Sequence, residues 1–251
     1  SAASDVYKRQ KVKRTLCIIG GYDKKFEKIT GYTTIDGDFN GNDRYDDEGK
    51  VIGGNEDNCK LLVYVYSPAL LHIENVKICN AFLDDNTVTR GAGIYSIGAG
   101  IKMKNVIFMN NISKASGGAV KATTDIDAEN CTFFNNRAAS GGAVYVSAKN
   151  WSATLRNCHF EANVAESGSA LHIDKNTTLY ARGNSFIGNH SSRYGCISVI
   201  GEAISSKFTF VNNTFAGNAL AFEGEVGDDI PGGSAIYFRA GTDGKISLVN
   251  N

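Results

Sequence analysis

The chain has 251 residues with 26 basic and 26 acidic side chains, so its formal net charge at pH 7 is zero. No basic patch argues for a nucleic-acid partner, and no apolar run approaches the ~18 residues that a membrane-spanning helix needs. With 42% hydrophobic residues, the chain can build one elongated core.

The two ends of the chain differ from the rest. Residues 1–10 resemble a translated sequencing adapter, and we exclude them from the fold. At the other end, Ile246 and Leu248 before Asn250 begin a further repeat whose phenylalanine does not follow. We therefore predict a metagenomic fragment that is truncated at its C-terminus.

The opening turns of the fold are predicted to span residues 11–70, with a polar loop over 36–58. Oxygen-bearing side chains recur there at the first, third, fifth and twelfth positions of a calcium loop, with Gly41 at the sixth. The predicted Ca²⁺ ligands are Asp36, Asp38, Asn40, Asn42 through its backbone carbonyl, and Asp47. The alternative is a polar surface loop rich in turn-forming residues.

A short phrase, Phe-x-x-Asn, recurs through the remainder of the chain. Its copies begin at Phe108, Phe133, Phe160, Phe186 and Phe215, which lie 25, 27, 26 and 29 residues apart. Small residues and then an apolar residue follow each copy, as in Gly117-Gly118-Ala119-Val120. A fixed period of this size indicates stacked repeat coils, which we place at residues 71–251.

Each repeat is predicted to contain three short strands. Apolar residues alternate before a recurring asparagine, as Ile101 and Met103 do before Asn105, and the alternation restarts after it and again after the glycines. This period of two indicates strands with one buried face. The β-branched, aromatic, Gly and Asn content disfavours a helix.

Three strands per coil of about 26 residues describe a parallel β-helix, in which equivalent side chains form columns. One inner wall is predicted to hold Leu71, Ile101, Ile126, Ala153, Leu179, Phe208 and Ile246, and the repeated phenylalanines another. The predicted bend residues are Asn75, Asn105, Asn130, Asn157, Asn212 and Asn250. Asparagine tolerates the left-handed conformation of a tight bend, and its amide can bond the asparagine above it.

The Gly-Gly-Ala-[Ile/Val] and Phe-x-x-Asn motifs resemble those of the chlamydial polymorphic outer-membrane proteins. They also resemble the right-handed parallel β-helix proteins common in gut and environmental Bacteroidetes, whose opening turns match residues 18–23 and 34–38. The resemblance covers about residues 15–251. It implies an all-β fold, a right-handed single-stranded parallel β-helix of the pectate-lyase-like type with three short strands per coil. Such folds host adhesins, lyases and hydrolases alike.

One outward column is a candidate ligand-binding strip. Its predicted members are Tyr95, Lys121, Tyr145, His172 and Tyr237, with Ser198 among them. Stacked aromatic rings beside a lysine and a histidine could contact a carbohydrate. The alternative is the ordinary preference of a solvated sheet face for such residues.

A second outward column alternates in charge and carries Glu74, Lys104, Glu129, Arg156 and Arg182. Polysaccharide lyases of this fold use Lys or Arg as a base near a cation, and such a base needs a lowered pKa. Here carboxylates neighbour the cations, so we interpret the column as a cross-strand ladder. No other catalytic constellation is apparent.

Cys131 and Cys158 occupy the same repeat position one coil apart, within the separation that a disulfide spans. Two stacked, reduced core thiols are the alternative.

Two inserts leave the same corner of the coil. One covers residues 82–90 with Asp84 and Asp85, and the other covers 219–231 with Glu223, Glu225, Asp228 and Asp229. Insertions on one face often mark a binding face. They are equally compatible with neutral variation in length.

These observations favour a non-catalytic, secreted or cell-surface module that binds a polysaccharide or a host surface protein. Its predicted location is extracellular or the bacterial outer-membrane surface, and we expect a monomer. Ca²⁺ is the one predicted cofactor. The alternatives are a polysaccharide lyase or glycosidase of the pectin-lyase-like fold and a structural stalk.

Overall fold

The structure is a computed structural model. It describes residues 15–47, 51–54, 58–84, 90–147, 150–174, 177–200, 207–220, 234–239 and 245–251. The ten residues interpreted as an adapter lie outside these ranges. Within them the chain forms strands, and no helix there is long and apolar enough to cross a membrane.

Three parallel sheets form the walls of a solenoid, as the repeat predicts. Sheet A contains Leu16–Ile19, Leu70–Glu74, Gly100–Lys104, Ile126–Glu129, Trp151–Arg156, Thr177–Arg182, Lys207–Val211 and Lys245–Val249. Sheet B contains Thr33–Asp36, Val76–Cys79, Ile107–Met109, Thr132–Phe134, His159–Glu161, Ser185–Ile187 and Thr214–Ala216. Sheet C contains Val63–Tyr66, Ile94–Ile97, Val120–Ala122, Val144–Ser147, Leu171–Asp174, Ile197–Ile200 and Ile236–Arg239.

A fourth column of short strands lies between sheets B and C in five of the described coils, and the sequence did not predict it. This column, sheet D, contains Phe82–Leu83, Ile112–Ser113, Val164–Ser167, His190–Tyr194 and Ala219–Leu220. Sheet D has two parts, which are joined by isolated β-bridges from Arg137 to Ile112 on one side and to Val164 on the other. In the opening turns, Arg44–Tyr45 and Val51–Gly53 pair antiparallel within the predicted polar loop.

The predicted inner walls are confirmed except at Ile246, which lies in register but is 43% exposed because its strand is the last of sheet A. The sheet A register aligns Leu71 with Ile101, Ile126, Ala153, Leu179, Phe208 and Ile246 in turn. The phenylalanine rings stack from Phe108 to Phe215 with centroids 4.6–5.0 Å apart. Burial of this continuous apolar column is the main source of stability.

The predicted asparagine bends are confirmed as well. Asn75, Asn105, Asn130, Asn157, Asn212 and Asn250 all have φ between 50° and 54°. The Nδ2 of Asn105 donates to Oδ1 of Asn75 over 3.0 Å, the coil-to-coil bond that the repeat predicts.

The asparagine that ends each Phe-x-x-Asn motif forms a buried ladder. The backbone N–H and the Nδ2 of Asn136 both donate to Oδ1 of Asn163, over 2.9 and 3.1 Å. Asn163 repeats both bonds to Asn189, and Asn189 repeats them to Asn218. The ladder therefore satisfies amides that are cut off from water.

None of the six cysteines forms a disulfide, and only Cys17 is exposed. Cys79, Cys131, Cys158 and Cys196 are buried, and burial raises the pKa of the Cys79 and Cys196 thiols to about 12. A protonated, buried thiol reacts slowly because the thiolate is the nucleophile.

We therefore expect a thiol reagent at pH 8 to modify Cys17 at once and Cys59 more slowly, and to leave the four buried thiols unmodified in the native state. Peptide mapping of the labelled protein measures this order, and labelling in denaturant should count six thiols. Rapid native labelling of Cys131 or Cys158 would contradict the stacked core arrangement, and a failure to count six thiols would indicate a disulfide between them.

Candidate functional site

The sheet C register brings the predicted ligand-binding strip into one column. Tyr95 pairs with Lys121, Lys121 with Tyr145, and Tyr145 with His172. His172 pairs with Ser198, which pairs with Tyr237. The register thus places these residues in one column, and whether the column binds a ligand stays a prediction.

The column packs mainly against itself. The Tyr145 ring has Lys121 Nζ at 4.7 Å and the His172 ring at 5.0 Å, and Tyr95 stacks on Tyr64 at 5.5 Å. Lys121 is 6% exposed, His172 7% and Tyr95 9%. Ring faces occupied by neighbouring coils are not open to a sugar, so the column offers ring edges only.

The polar groups of this column also form contacts within the protein. Tyr145 donates its hydroxyl to Asp174 over 3.3 Å, and burial, followed by the Asp174 carboxylate, raises the pKa of Tyr145 to about 12. Ser167 Oγ lies 2.9 Å from His172 Nδ1, but burial lowers the pKa of His172 to about 4. Such a histidine is a weak general base, so the pair does not form an activated nucleophile.

A second serine–histidine contact lies on the outer face of sheet B. His159 Nδ1 is 2.5 Å from Ser185 Oγ, and its Nε2 is 2.8 Å from Glu161 Oε2. The order resembles a nucleophile, base and orienting acid. However, the Ser185 N–H donates to Cys158 O and the His159 N–H to Cys131 O. Neither is left to stabilise an oxyanion, which acyl transfer requires.

The charged column of sheet A behaves as a ladder. Arg156 Nη2 lies 2.6 Å from Asp127 Oδ1 and 3.7 Å from Glu129 Oε2. The register places Lys104 between Glu74 and Glu129. Each cation therefore faces carboxylates on neighbouring strands, the arrangement of a cross-strand ladder.

An open groove crosses sheet D and was not predicted from the sequence. It has a volume of about 380 Å³ and is lined by residues 112–114, 137–139, 164–166 and 190–192, three from each of four successive coils. Its buried positions are small, as at Ser113, Ala138, Ala165 and Ser191. These small side chains form the floor of the depression.

Polar side chains line the exposed part of the groove. Lys114, Arg137, Glu166 and His190 are all exposed and all line it. Arg137 and His190 each lie four residues after a repeated phenylalanine, and Lys114 and Glu166 each lie six residues after one. At neither position do the repeats share a residue type. When the repeats are aligned, these positions vary in residue type while the rest of the motif recurs, and this variation is the signal that could have revealed the groove.

The described first residues of the two predicted inserts adjoin the two ends of this groove. Phe82–Leu83 and Ala219–Leu220, with which the inserts begin, are the outermost strands of sheet D. Asp84 contacts Lys60 at 3.2 Å. The other acidic insert residues, Asp85, Glu223, Glu225, Asp228 and Asp229, lie outside the described residues.

The predicted calcium loop is held by hydrogen bonds of its own. Asp38 Oδ1 accepts from the N–H groups of Gly41 and Asn42 over 2.8 and 3.2 Å, and Oδ2 accepts from the Asp43 N–H over 3.3 Å. Asp36 Oδ1 accepts from the Asp38 N–H over 3.0 Å. Among the described residues, no three His, Cys, Asp or Glu side chains are grouped to hold a metal ion. The set of Asp36, Asp38, Asn40, Asn42 and Asp47 stays a prediction.

Comparison with known proteins places the fold in a family. No curated protein and no solved structure matches the chain significantly. The family model described as "Right handed beta helix region" matches residues 56–215, which is more than half of the chain and includes all four coils of the groove. The chain therefore belongs to the right-handed β-helix family.

Proposed function

We propose that the protein is a secreted or cell-surface module that binds a saccharide chain along the sheet D groove without cleaving it. The observation that carries this proposal is the open groove across four coils, with small side chains buried in it and charged side chains exposed. Sugar hydroxyls both donate and accept hydrogen bonds, and the exposed basic side chains and the carboxylate of the groove supply both kinds of partner.

The dimensions of the groove favour an extended ligand. Successive coils stack at roughly 4.8 Å, so its first and fourth coils are about 14 Å apart. Lys114 and Arg137 lie towards one end, Glu166 follows, and His190 lies at the other. Because continuous sheets on either side support the groove, little conformational entropy is lost on binding.

The same groove disfavours glycoside hydrolysis. Glycosidases use two carboxylates on opposite sides of the scissile bond, and the residues that line the groove include one, Glu166. A binding surface fits this composition better than an active site does. If no saccharide binds, the alternative function as a structural stalk is favoured.

Binding should depend on the exposed basic side chains of the groove. We expect the protein to bind members of a glycan array, and Arg137→Ala and His190→Ala each to weaken that binding about tenfold, the effect of losing ~1.4 kcal/mol of contact energy. Arg182→Ala, an exposed arginine on sheet A, is the matched control and should bind normally. Calorimetry with the selected glycan measures all four proteins.

Two results would contradict the proposal. Equal affinity of all four proteins would move the site away from the groove, and a complete lack of binding would favour the stalk. The bound glycans, together with pectin, alginate, chondroitin and xylan, should also remain uncut. Cleavage that is abolished by Lys104→Ala or Arg156→Ala would establish the lyase alternative.

A further inference from the structure

The polar loop of the opening turns concentrates negative charge. Residues 36–47 include five aspartates and one arginine. The hydrogen bonds described above fold the loop so that Asp36, Asp38 and Asp43 are linked in sequence through their carboxylates and N–H groups. Aspartates held together in this way repel one another unless a cation is near.

Gly37 places this loop against two neighbouring segments. Its N–H donates to Cys79 O over 2.9 Å, and its carbonyl accepts from the Cys59 N–H over 3.0 Å. A Cβ at this position would lie 2.2 Å from the Asn80 carbonyl oxygen, so a larger residue would not allow this approach. Asn58 and Asn80, the neighbours of Cys59 and Cys79, are therefore brought to the acidic loop.

Both asparagines point their amide groups at loop carboxylates. Asn80 Nδ2 donates to Asp36 Oδ1 over 2.8 Å, and Asn58 Nδ2 donates to Asp43 Oδ2 over 2.8 Å. Asn58 is 4% exposed and Asn80 7%, yet the Oδ1 atom of each is buried without a hydrogen-bond partner. Asn163, in the ladder, has an Oδ1 that accepts two bonds.

Buried amide oxygens without a donor are rare, and an ion or a water molecule usually accounts for them. The surrounding carboxylates favour a cation. Carboxylate and amide oxygens are the ligands of a hard divalent ion, and Ca²⁺ accepts six to eight of them in flexible geometry.

We propose that Ca²⁺ binds between these segments, ligated by the Oδ1 atoms of Asn58 and Asn80 and by the carboxylates of Asp36 and Asp43. Backbone carbonyls and water complete the shell. The two amide oxygens provide ligands that further carboxylates provide in other calcium sites. This is consistent with the absence, among the described residues, of three His, Cys, Asp or Glu side chains grouped to hold a metal ion. A site with two carboxylates belongs with the weak extracellular modules, whose Kd values are about 10⁻⁴–10⁻³ M.

The wild-type protein gives the first test. After treatment with chelator, 10 mM Ca²⁺ should raise the melting temperature by about 3–11 °C, because a ligand at about ten to a hundred times its Kd that binds only the folded state stabilises it by that amount. Calorimetry with CaCl₂ should show one saturable site, and Mg²⁺ at the same concentration should give a smaller shift. No Ca²⁺-dependent shift and no binding heat would mean that water occupies the position, which would overturn the proposal.

A substitution that adds a carboxylate distinguishes a cation site from a buried polar site that binds no ion. Asn58→Asp adds a carboxylate beside Asp43, so it should lower the melting temperature in chelator and enlarge the Ca²⁺-dependent rise to more than that of the wild type. Asn136→Asp is the matched control, since it places the same charge in the fully bonded ladder, where Ca²⁺ should not restore the loss. An equal Ca²⁺ response in the two variants would contradict a specific site.

Discussion

Replacing Phe133 by alanine is expected to lower the free energy of unfolding by about 3–5 kcal/mol, the loss that follows when a large aromatic side chain leaves a cavity in a close-packed core. Phe133 is fully buried. Its ring lies between Phe108 at 5.0 Å and Phe160 at 4.6 Å. The coils on either side are held by the same stack, so they cannot easily collapse into the space.

Urea unfolding followed by circular dichroism measures this loss as a lower midpoint. The matched control is Phe215→Ala, because Phe215 is only partly buried and stacks on Phe186 at 4.8 Å near the end of the column. The control should lose clearly less than Phe133→Ala. Equal losses, or a fully stable Phe133→Ala, would be incompatible with a stack that forms the core.

Replacing Asn163 by alanine should cost about 3–4 kcal/mol, since leaving a buried polar group unsatisfied costs about 1–3 kcal/mol. Asn163 is fully buried. It accepts from the N–H and Nδ2 of Asn136 and donates to Oδ1 of Asn189 and to Phe133 O. Alanine removes the bonds to both Asn136 donors and to Phe133 O in a position that water does not reach, and Asn189 Oδ1 keeps only the bond from the backbone N–H of residue 163.

The same unfolding measurement tests this prediction. Asn218→Ala is the control, since Asn218 continues the ladder but is only half-buried, which allows water to replace its bonds. A loss at Asn163 no larger than that at Asn218 would show that the ladder does not contribute as its burial indicates. An unchanged slope of free energy against urea would confirm that both variants unfold to the same extent as the wild type.

The sequence predicted the inner columns because the repeat itself specifies them. Phe133 recurs at a fixed position with the same residue type, and only a stack of coils uses such a pattern. Asn105 and its equivalents were predictable for a similar reason, because a left-handed bend restricts the choice of residue. Period and residue type together therefore determined the walls and the bends.

The groove and the ladder were not predictable in this way. Arg137 and His190 occupy the same position in different repeats but share neither size nor charge, so no pattern singles them out. The asparagine that ends each motif was recognised as part of the repeat, but its ladder depends on burial that one repeat cannot show. Asn58 and Asn80 are far apart in the chain, and their common approach to the acidic loop emerges only from the folded coils.

A crystal structure of the protein with a glycan selected from the array would show directly where a saccharide binds. We expect an ordered saccharide along the sheet D groove, in contact with Lys114, Arg137 and His190, with its glycosidic bonds intact. A saccharide bound on the outer column of sheet C at Tyr145, or on the charged ladder of sheet A, would contradict it.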